Sequence, residues 1–173
     1  MDPELKERQL YERYSASLLA VCQRYLGDRQ QAEDVLHDSF IKIFRSLDSF
    51  EYRSEAALFG WMRSITVHKC LDVLRARRRG PVPLDEGMDI PEESGPPADK
   101  VRRIPQEVLL KLIGELPEGY RTIFNLFCME GWSHAQIAEK LGIKEKTSSS
   151  QYFRARALLA KKIKDHLKDD YED

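Results

Sequence analysis

Three consecutive serines, Ser148 to Ser150, stand just before Phe153, Arg154 and Arg156. These residue types do not suggest catalysis. Hydroxyls bond phosphate oxygens or base edges, a guanidinium can make a bidentate contact to guanine, and a ring can touch a thymine methyl. The surrounding charge points the same way. From Ser133 to Lys164 the chain carries Lys140, Lys144, Lys146, Arg154, Arg156, Lys161, Lys162 and Lys164 against Glu139 and Glu145. A second basic block, Trp61 to Arg79, holds Arg63, Lys69, Arg75, Arg77, Arg78 and Arg79 against Asp72. Between the blocks, Gly80 to Lys100 is acidic, with Asp85, Glu86, Asp89, Glu92, Glu93 and Asp99. The formal net charge of −1 over 173 residues therefore conceals a strong segregation. Two basic surfaces with an acidic spacer imply two contacts with a polyanion.

Other classes find little support. No Gly-rich phosphate loop and no nucleophile with a base partner appears, so the chain is not expected to be an enzyme. Cys22, Cys70 and Cys128 are far apart and odd in number, which argues against a disulfide framework or a zinc site. No cofactor and no bound metal are expected. No apolar run approaches the ~18 residues of a membrane span, and the first residues, MDPELKERQL, form no secretory pattern. A cytoplasmic protein without membrane contact is the resulting expectation.

The elements that must position these residues are helices. Leu10, Tyr14, Leu18, Val21, Cys22 and Tyr25 make one apolar stripe, predicting a helix over 4–26. Gly27 can close it, and Asp28 can cap the next. That second helix turns Ala32, Val35, Leu36, Phe40, Ile43, Phe44 and Leu47 inward, and Glu33, Asp34, His37, Asp38, Lys42 and Arg45 outward. A third helix, 57–78, carries two apolar rows that lie roughly opposite: Leu58, Trp61, Met62 and Ile65, then Val67, Cys70, Leu71 and Leu74. It either packs on two sides or offers one row to a partner.

Residues 80–105 break the helical pattern with six prolines and many acids. They bury too little apolar surface to offset their ordering entropy, so a flexible linker is expected, able to span roughly 80 Å when extended. Helical periodicity resumes near Gln106. Pro117 suits a helix start, Gly131 a helix end, and Ser133 with Gln136 a capping box. From Ser133 to Arg156 the order is short helix, tight turn at Gly142, longer basic helix: a helix-turn-helix. On its second helix, Ser148, Tyr152, Ala155 and Leu159 face inward by their spacing. Ser149, Ser150, Phe153 and Arg154 face outward.

The two helical parts together resemble an extracytoplasmic-function (ECF, group 4) sigma factor of bacterial RNA polymerase, in the sigma-70 family. AEDVLHDSFIKIFRSLDSF is similar to the family's polymerase-binding helix and FGWMRSITVHKCLDVLRARRR to its promoter-melting helix, both in region 2. LPEGYRTIFNLFCMEGWSHAQIAEKLGI, with TSSSQYFRARALLAKKI, resembles region 4. The resemblance implies an all-α fold of two small helical domains: region 2, a three- to four-helix bundle, at 1–79, and region 4, a four-helix domain with the helix-turn-helix, at 106–173. It also implies a transcription initiation factor that guides core polymerase to promoters.

The implied roles follow residue by residue. Asp34, Leu36, Asp38, Ile41, Lys42 and Arg45 would bind the polymerase clamp helices, while region 4 would meet the flap. Phe50, Tyr52, Arg53, Phe59 and Trp61 would hold an unstacked base of the −10 element. Arg63, Lys69, Arg75, Arg77 and Arg78 would hold phosphates, with His68, where the family usually has Asn, close by. At the −35 element Ser149, Ser150, Phe153 and Arg154 would meet bases, and Lys144, Lys146, Arg156 and Lys161 phosphates. An anti-sigma protein clamping both domains is implied as a further partner. Three more departures from the family pattern are Ser148, in place of an apolar residue, Ser149, in place of Lys or Arg, and Lys144, in place of the usual N-cap Ser or Thr. The competing reading is a stand-alone helix-turn-helix transcriptional regulator, which would normally dimerise on two half-sites.

Overall fold

The computed structural model describes residues 3–77 and 95–169, and these are helical with no strand among them. The contacts divide the chain into two compact units, one ending with the third helix and one beginning with the fourth. Arg78, Arg79 and most of the expected linker lie outside the described residues.

The first unit has three long helices: α1 (Pro3–Leu26), α2 (Arg29–Ser46) and α3 (Glu55–Arg77). Gly27, at φ 72°, ends α1, and its N–H bonds Gln23 O at 3.0 Å. Positive φ is what a residue with a Cβ resists, so a tight reversal here calls for glycine. Asp28 then caps α2, its carboxylate accepting from Gln31 N–H at 2.9 Å. Leu18, Cys22, Tyr25, Ala32, Ile43, Met62, Val67 and Cys70 make the centre of the core.

Two expectations for α3 need correction. The helix begins at Glu55 rather than near Ala57, because Ser54 Oγ accepts from Ala57 N–H at 3.1 Å and acts as the cap. Its two apolar rows are also not separate faces. Leu58, Met62, Thr66, Cys70 and Leu74 are buried at successive four-residue steps, and each step drifts around the axis. One winding stripe results, and α3 packs along it on both α1 and α2. Thr66 hid the continuity, because a polar residue interrupts the apolar pattern. Its hydroxyl donates to Met62 O at 2.9 Å, and the buried Ser39 likewise donates to Val35 O at 2.7 Å.

The second unit contains α4 (Ala98–Val101), α5 (Gln106–Gly114), α6 (Glu118–Phe124), α7 (His134–Leu141) and α8 (Glu145–Asp169). Ile104 is buried with Leu112, Ile113, Leu116, Tyr120, Phe124, Ala155, Leu159 and Ile163. The segment just before Pro105, expected to be linker, thus belongs in part to this core. One buried isoleucine among prolines and charges was too weak a periodic signal to show it. Buried Arg121 donates to Gly114 O at 2.8 Å and Leu116 O at 3.3 Å, satisfying carbonyls that α5 leaves open at its end. After α6 the backbone widens into a π-helical turn, Asn125–Met129, in which Glu130 N–H reaches Asn125 O at 3.0 Å.

Met62 is fully buried midway along the α3 stripe. Met62→Ala should destabilise the first unit by about 2–5 kcal/mol, the usual range for truncating a core side chain to alanine. The two tryptophans, Trp61 and Trp132, fall one in each unit, so Trp61 fluorescence in a Trp132→Phe background would isolate that transition in urea.

Candidate nucleic-acid and protein interfaces

The helix-turn-helix is built from polar devices at each end of α7. Ser133 Oγ accepts from Gln136 N–H at 3.1 Å, and Gln136 Oε1 accepts from Ser133 N–H at 2.9 Å, a complete capping box. Gly142, at φ 67°, ends α7, and Ile143 N–H bonds Ala138 O at 3.0 Å. An eight-residue helix is marginal alone, so these caps and the burial of Ile137 and Ala138 against α8 are what hold it.

On α8 the expected division of faces is present. Ser148, Ala155 and Leu159 are buried and Tyr152 half-buried, while Lys146, Ser149, Ser150 and Arg156, and Lys144 just before the helix, are exposed. Phe153 is 63% exposed, an unusual state for a large ring, and Arg154 is half-exposed beside it. Helical spacing gathers Lys146, Ser149, Ser150, Phe153, Arg154, Arg156 and Lys161 onto one side. Hydroxyls, an aromatic face and cations therefore share a protruding helix surface.

The polar Ser148 in a core position has a local explanation. Its Oγ lies 2.9 Å from Nδ1 of His134, the first residue of α7, and the tautomer decides which of the two donates. The His134 ring stacks on Phe127 with centroids 4.3 Å apart and planes 9° apart, and Phe127 meets Tyr152 at 4.4 Å. An apolar side chain at 148 would leave His134 without this hydroxyl. The two residues could not be paired from the sequence because fourteen positions separate them. Buried Gln151 was likewise missed, since a polar side chain adds nothing to an apolar period.

In the first unit, the exposed face of α2 gathers Asp34, Asp38, Ile41, Lys42 and Arg45 within about a third of the helix circumference. Ile41 is 43% exposed between acids toward the N-terminus and bases toward the C-terminus. Leu36 does not join them. It points to the opposite side and is 6% exposed, so its side chain serves the core rather than a surface. The sequence alone already gave its inward spacing, and that spacing prevails.

The aromatic candidates divide similarly. Phe50 stacks on Trp61 at 4.6 Å and Phe59 on Tyr14 at 5.7 Å, so these rings are partly enclosed, whereas Tyr52 and Arg53 are exposed. Arg53 pairs with Glu51 at 3.1 Å. Along α3, Trp61, His68 and Arg75 recur every seven residues and share a side. Arg63 and Arg77 lie on the far side of the helix from Trp61, and Lys69 lies between, so the basic block is not one surface. His68 Nδ1 is 2.7 Å from Ser64 O, and since a carbonyl only accepts, Nδ1 carries the proton.

Glu55, the first residue of α3, is a polar junction that sequence pattern did not reveal. Tyr14 donates to Oε2, Arg13 Nη1 lies 3.3 Å from Oε1, and the Tyr52 hydroxyl lies 3.4 Å from Oε1. The Tyr14 hydrogen bond, helped by Arg13 and Tyr52, holds the Glu55 carboxyl below its ordinary range. The same bond, with burial, pushes the Tyr14 phenol up.

Comparison with known proteins gives the following. Residues 10–80 match the family described as Sigma-70 region 2, and residues 106–159 the family described as Sigma-70, region 4. The ECF RNA polymerase sigma-E factor of Haemophilus influenzae is 30% identical over 164 residues, covering 89% of this chain and 85% of that protein. The RNA polymerase sigma-H factor of Pseudomonas aeruginosa is 30% identical over 167 residues, covering 91% and 86%. The ECF RNA polymerase sigma factor SigM of Mycobacterium tuberculosis is 31% identical over 155 residues, covering 88% and 74%. Among solved structures, the sigma factor RpoE of Bartonella quintana, in complex with the anti-sigma factor NepR, aligns at a TM-score of 0.52 and 21% identity, covering 91% of this chain and 96% of that one. That last likeness is one of fold.

Two outcomes follow from the polar pairs. Ser148→Ala should destabilise the second unit by about 1–3 kcal/mol by stripping His134 of its partner, and combining it with His134→Ala should cost less than the two single changes summed. Trp132 fluorescence during urea unfolding of a Trp61→Phe background measures all three. For Glu55, a folded pKa held low means stability present above the unfolded pKa and lost as pH falls through the folded one. Glu55→Gln should therefore flatten the acid side of the first unit's stability–pH curve.

Proposed function

We propose, since the chain belongs to the sigma-70 family as an RNA polymerase sigma factor of the ECF type, that its two units take separate parts of promoter recognition. Sigma factors are non-enzymatic initiation factors that bind core RNA polymerase and promoter DNA; catalysis belongs to the polymerase. The observation that carries the finer reading is the protruding α8 face, where Ser149, Ser150, Phe153 and Arg154 stand together on a helix braced from behind by α7. A helix so mounted fits a major groove, and its flanking Lys144, Lys146, Arg156 and Lys161 suit phosphate contacts. We assign this face to the −35 element.

The first unit takes the −10 element in this reading. Exposed Tyr52 and Arg53, with the Phe50–Trp61 stack, suit capture of a base taken out of the duplex. Trp61, His68 and Arg75 form the DNA side of α3, and Arg63, Lys69 and Arg77 are left to phosphates lying elsewhere around it. The α2 face of Asp34, Asp38, Ile41, Lys42 and Arg45 is assigned to the polymerase clamp, where exposed Ile41 among charges has the character of an interface centre. An inhibitor of the anti-sigma type, as bound to the Bartonella quintana protein, would compete for these same surfaces. Placement in the cytoplasm, with the polymerase, completes the assignment; no described helix is long and apolar enough to cross a membrane.

Run-off transcription with core polymerase on genomic DNA, with sequencing of the start sites, tests the assignment and supplies the promoter. No initiation at any site, together with tight binding of duplex DNA by the chain alone, would instead favour a stand-alone regulator. On the promoter so found, Ser149→Arg should tighten −35 binding and steepen its salt dependence by about 0.9 in the log–log slope, the value for one added phosphate contact. An unchanged slope would remove Ser149 from the DNA face.

A further inference from the structure

We propose that Glu55 is a positioning residue for base capture, its carboxylate holding the irregular segment 50–54 in the geometry that presents Tyr52 and Arg53. The proposal rests on the assignment of that segment to the −10 element. The segment is short and anchored at both ends. Phe50 N–H bonds Leu47 O at 3.2 Å and its ring lies on Trp61, while Ser54 caps α3 and its carbonyl accepts from Leu58 N–H at 3.0 Å. Between these anchors Tyr52 is 59% exposed. Its hydroxyl donates to Glu55 Oε1 at 3.4 Å.

An exposed tyrosine loses rotamer freedom when a base stacks on it, and that loss weakens capture. A hydroxyl already held by a carboxylate lowers the loss while leaving the ring face open. Glu55 can do this because its own position is set by α1: Tyr14 donates to it, Arg13 approaches it at 3.3 Å, and the Arg13 guanidinium carbon lies 5.4 Å from the Tyr14 ring centroid. Tyr14 in turn stacks on Phe59, one turn into α3. A first-turn glutamate is favoured by the helix dipole alone. The dipole does not call for donors from α1 and from the 50–54 segment to converge on the same carboxylate. The convergence ties the reading segment to the rigid α1–α3 pair.

The test uses holoenzyme on the promoter mapped from start sites, with the −10 region pre-opened by mismatches, and measures initiation on that template relative to one bearing a single substituted −10 base on the non-template strand. This ratio does not depend on the fraction of active protein, so a loss of stability alone leaves it unmoved. Glu55→Gln should lower the ratio by about three- to tenfold, the scale of one lost hydrogen bond at a reading contact. Tyr14→Phe, which keeps the ring and removes one donor, should lower it less and serves if Glu55→Gln folds poorly. Tyr52→Ala is the reference. If Tyr52→Ala collapses the ratio while Glu55→Gln and Tyr14→Phe leave it at the wild-type value, the positioning role is overturned and the −10 assignment stands. If Tyr52→Ala also leaves the ratio unchanged, the −10 assignment of the segment fails and the positioning role falls with it.

Discussion

Every long helix in this protein must hide one stripe, and what it can offer a partner is only what remains. On α2 the hidden stripe is Ala32, Val35, Leu36, Ser39, Phe40 and Ile43, so the free side is left with Asp34, Asp38, Ile41, Lys42 and Arg45. On α8 the stripe of Ser148, Gln151, Ala155, Leu159 and Ile163 leaves Ser149, Ser150, Phe153 and Arg154 outside. Burial of apolar area at roughly 25 cal/mol per Å² is the force that orients both helices, and the proposed interfaces are its by-product. Leu36 illustrates the constraint from the other direction. A side chain that completes the core is not also available to the surface.

Polar groups then refine what burial makes approximate. A helix of eight residues, α7, takes its register from the Ser133 capping box, the Gly142 turn and the contact from His134 to Ser148. These bonds are individually modest, but a buried hydroxyl or imidazole without a partner is expensive. They therefore discriminate against small rotations of α8 that apolar packing would tolerate. In the first unit Glu55 has the same place. It is exposed enough to keep its charge and close enough to Tyr14, Arg13 and Tyr52 to tie an irregular segment to two regular helices.

Long-range charge adds selectivity without geometry. Basic residues in the two units are separated in sequence by acids, which suits a protein that meets DNA as part of a larger assembly. Ser149, a hydroxyl where relatives of the resembled family carry a cation, removes one long-range attraction from the α8 face. Under the proposed −35 assignment, direct contact would then contribute a larger share of binding there.

Much of this was legible in the sequence. Helix existence, the inward and outward sides of α1, α2 and α8, the caps at Asp28 and Ser133 and the turns at Gly27 and Gly142 are local properties. They follow from a 3.6-residue period and from the few residue types that tolerate caps and positive φ. The family resemblance was legible too, because it rests on ordered motifs. What the sequence alone determined, then, was which helices form and which side of most of them is wet. Only the tertiary structure decided that the rows of α3 are one stripe bridged by Thr66, that Ile104 joins the second core, that Ser148 meets His134, and that three donors meet at Glu55. Each of these depends on where a residue distant in sequence comes to lie, or on a polar residue that breaks an apolar period. Periodicity carries neither kind of information, because it records how a residue faces along its own helix and not what it finds there.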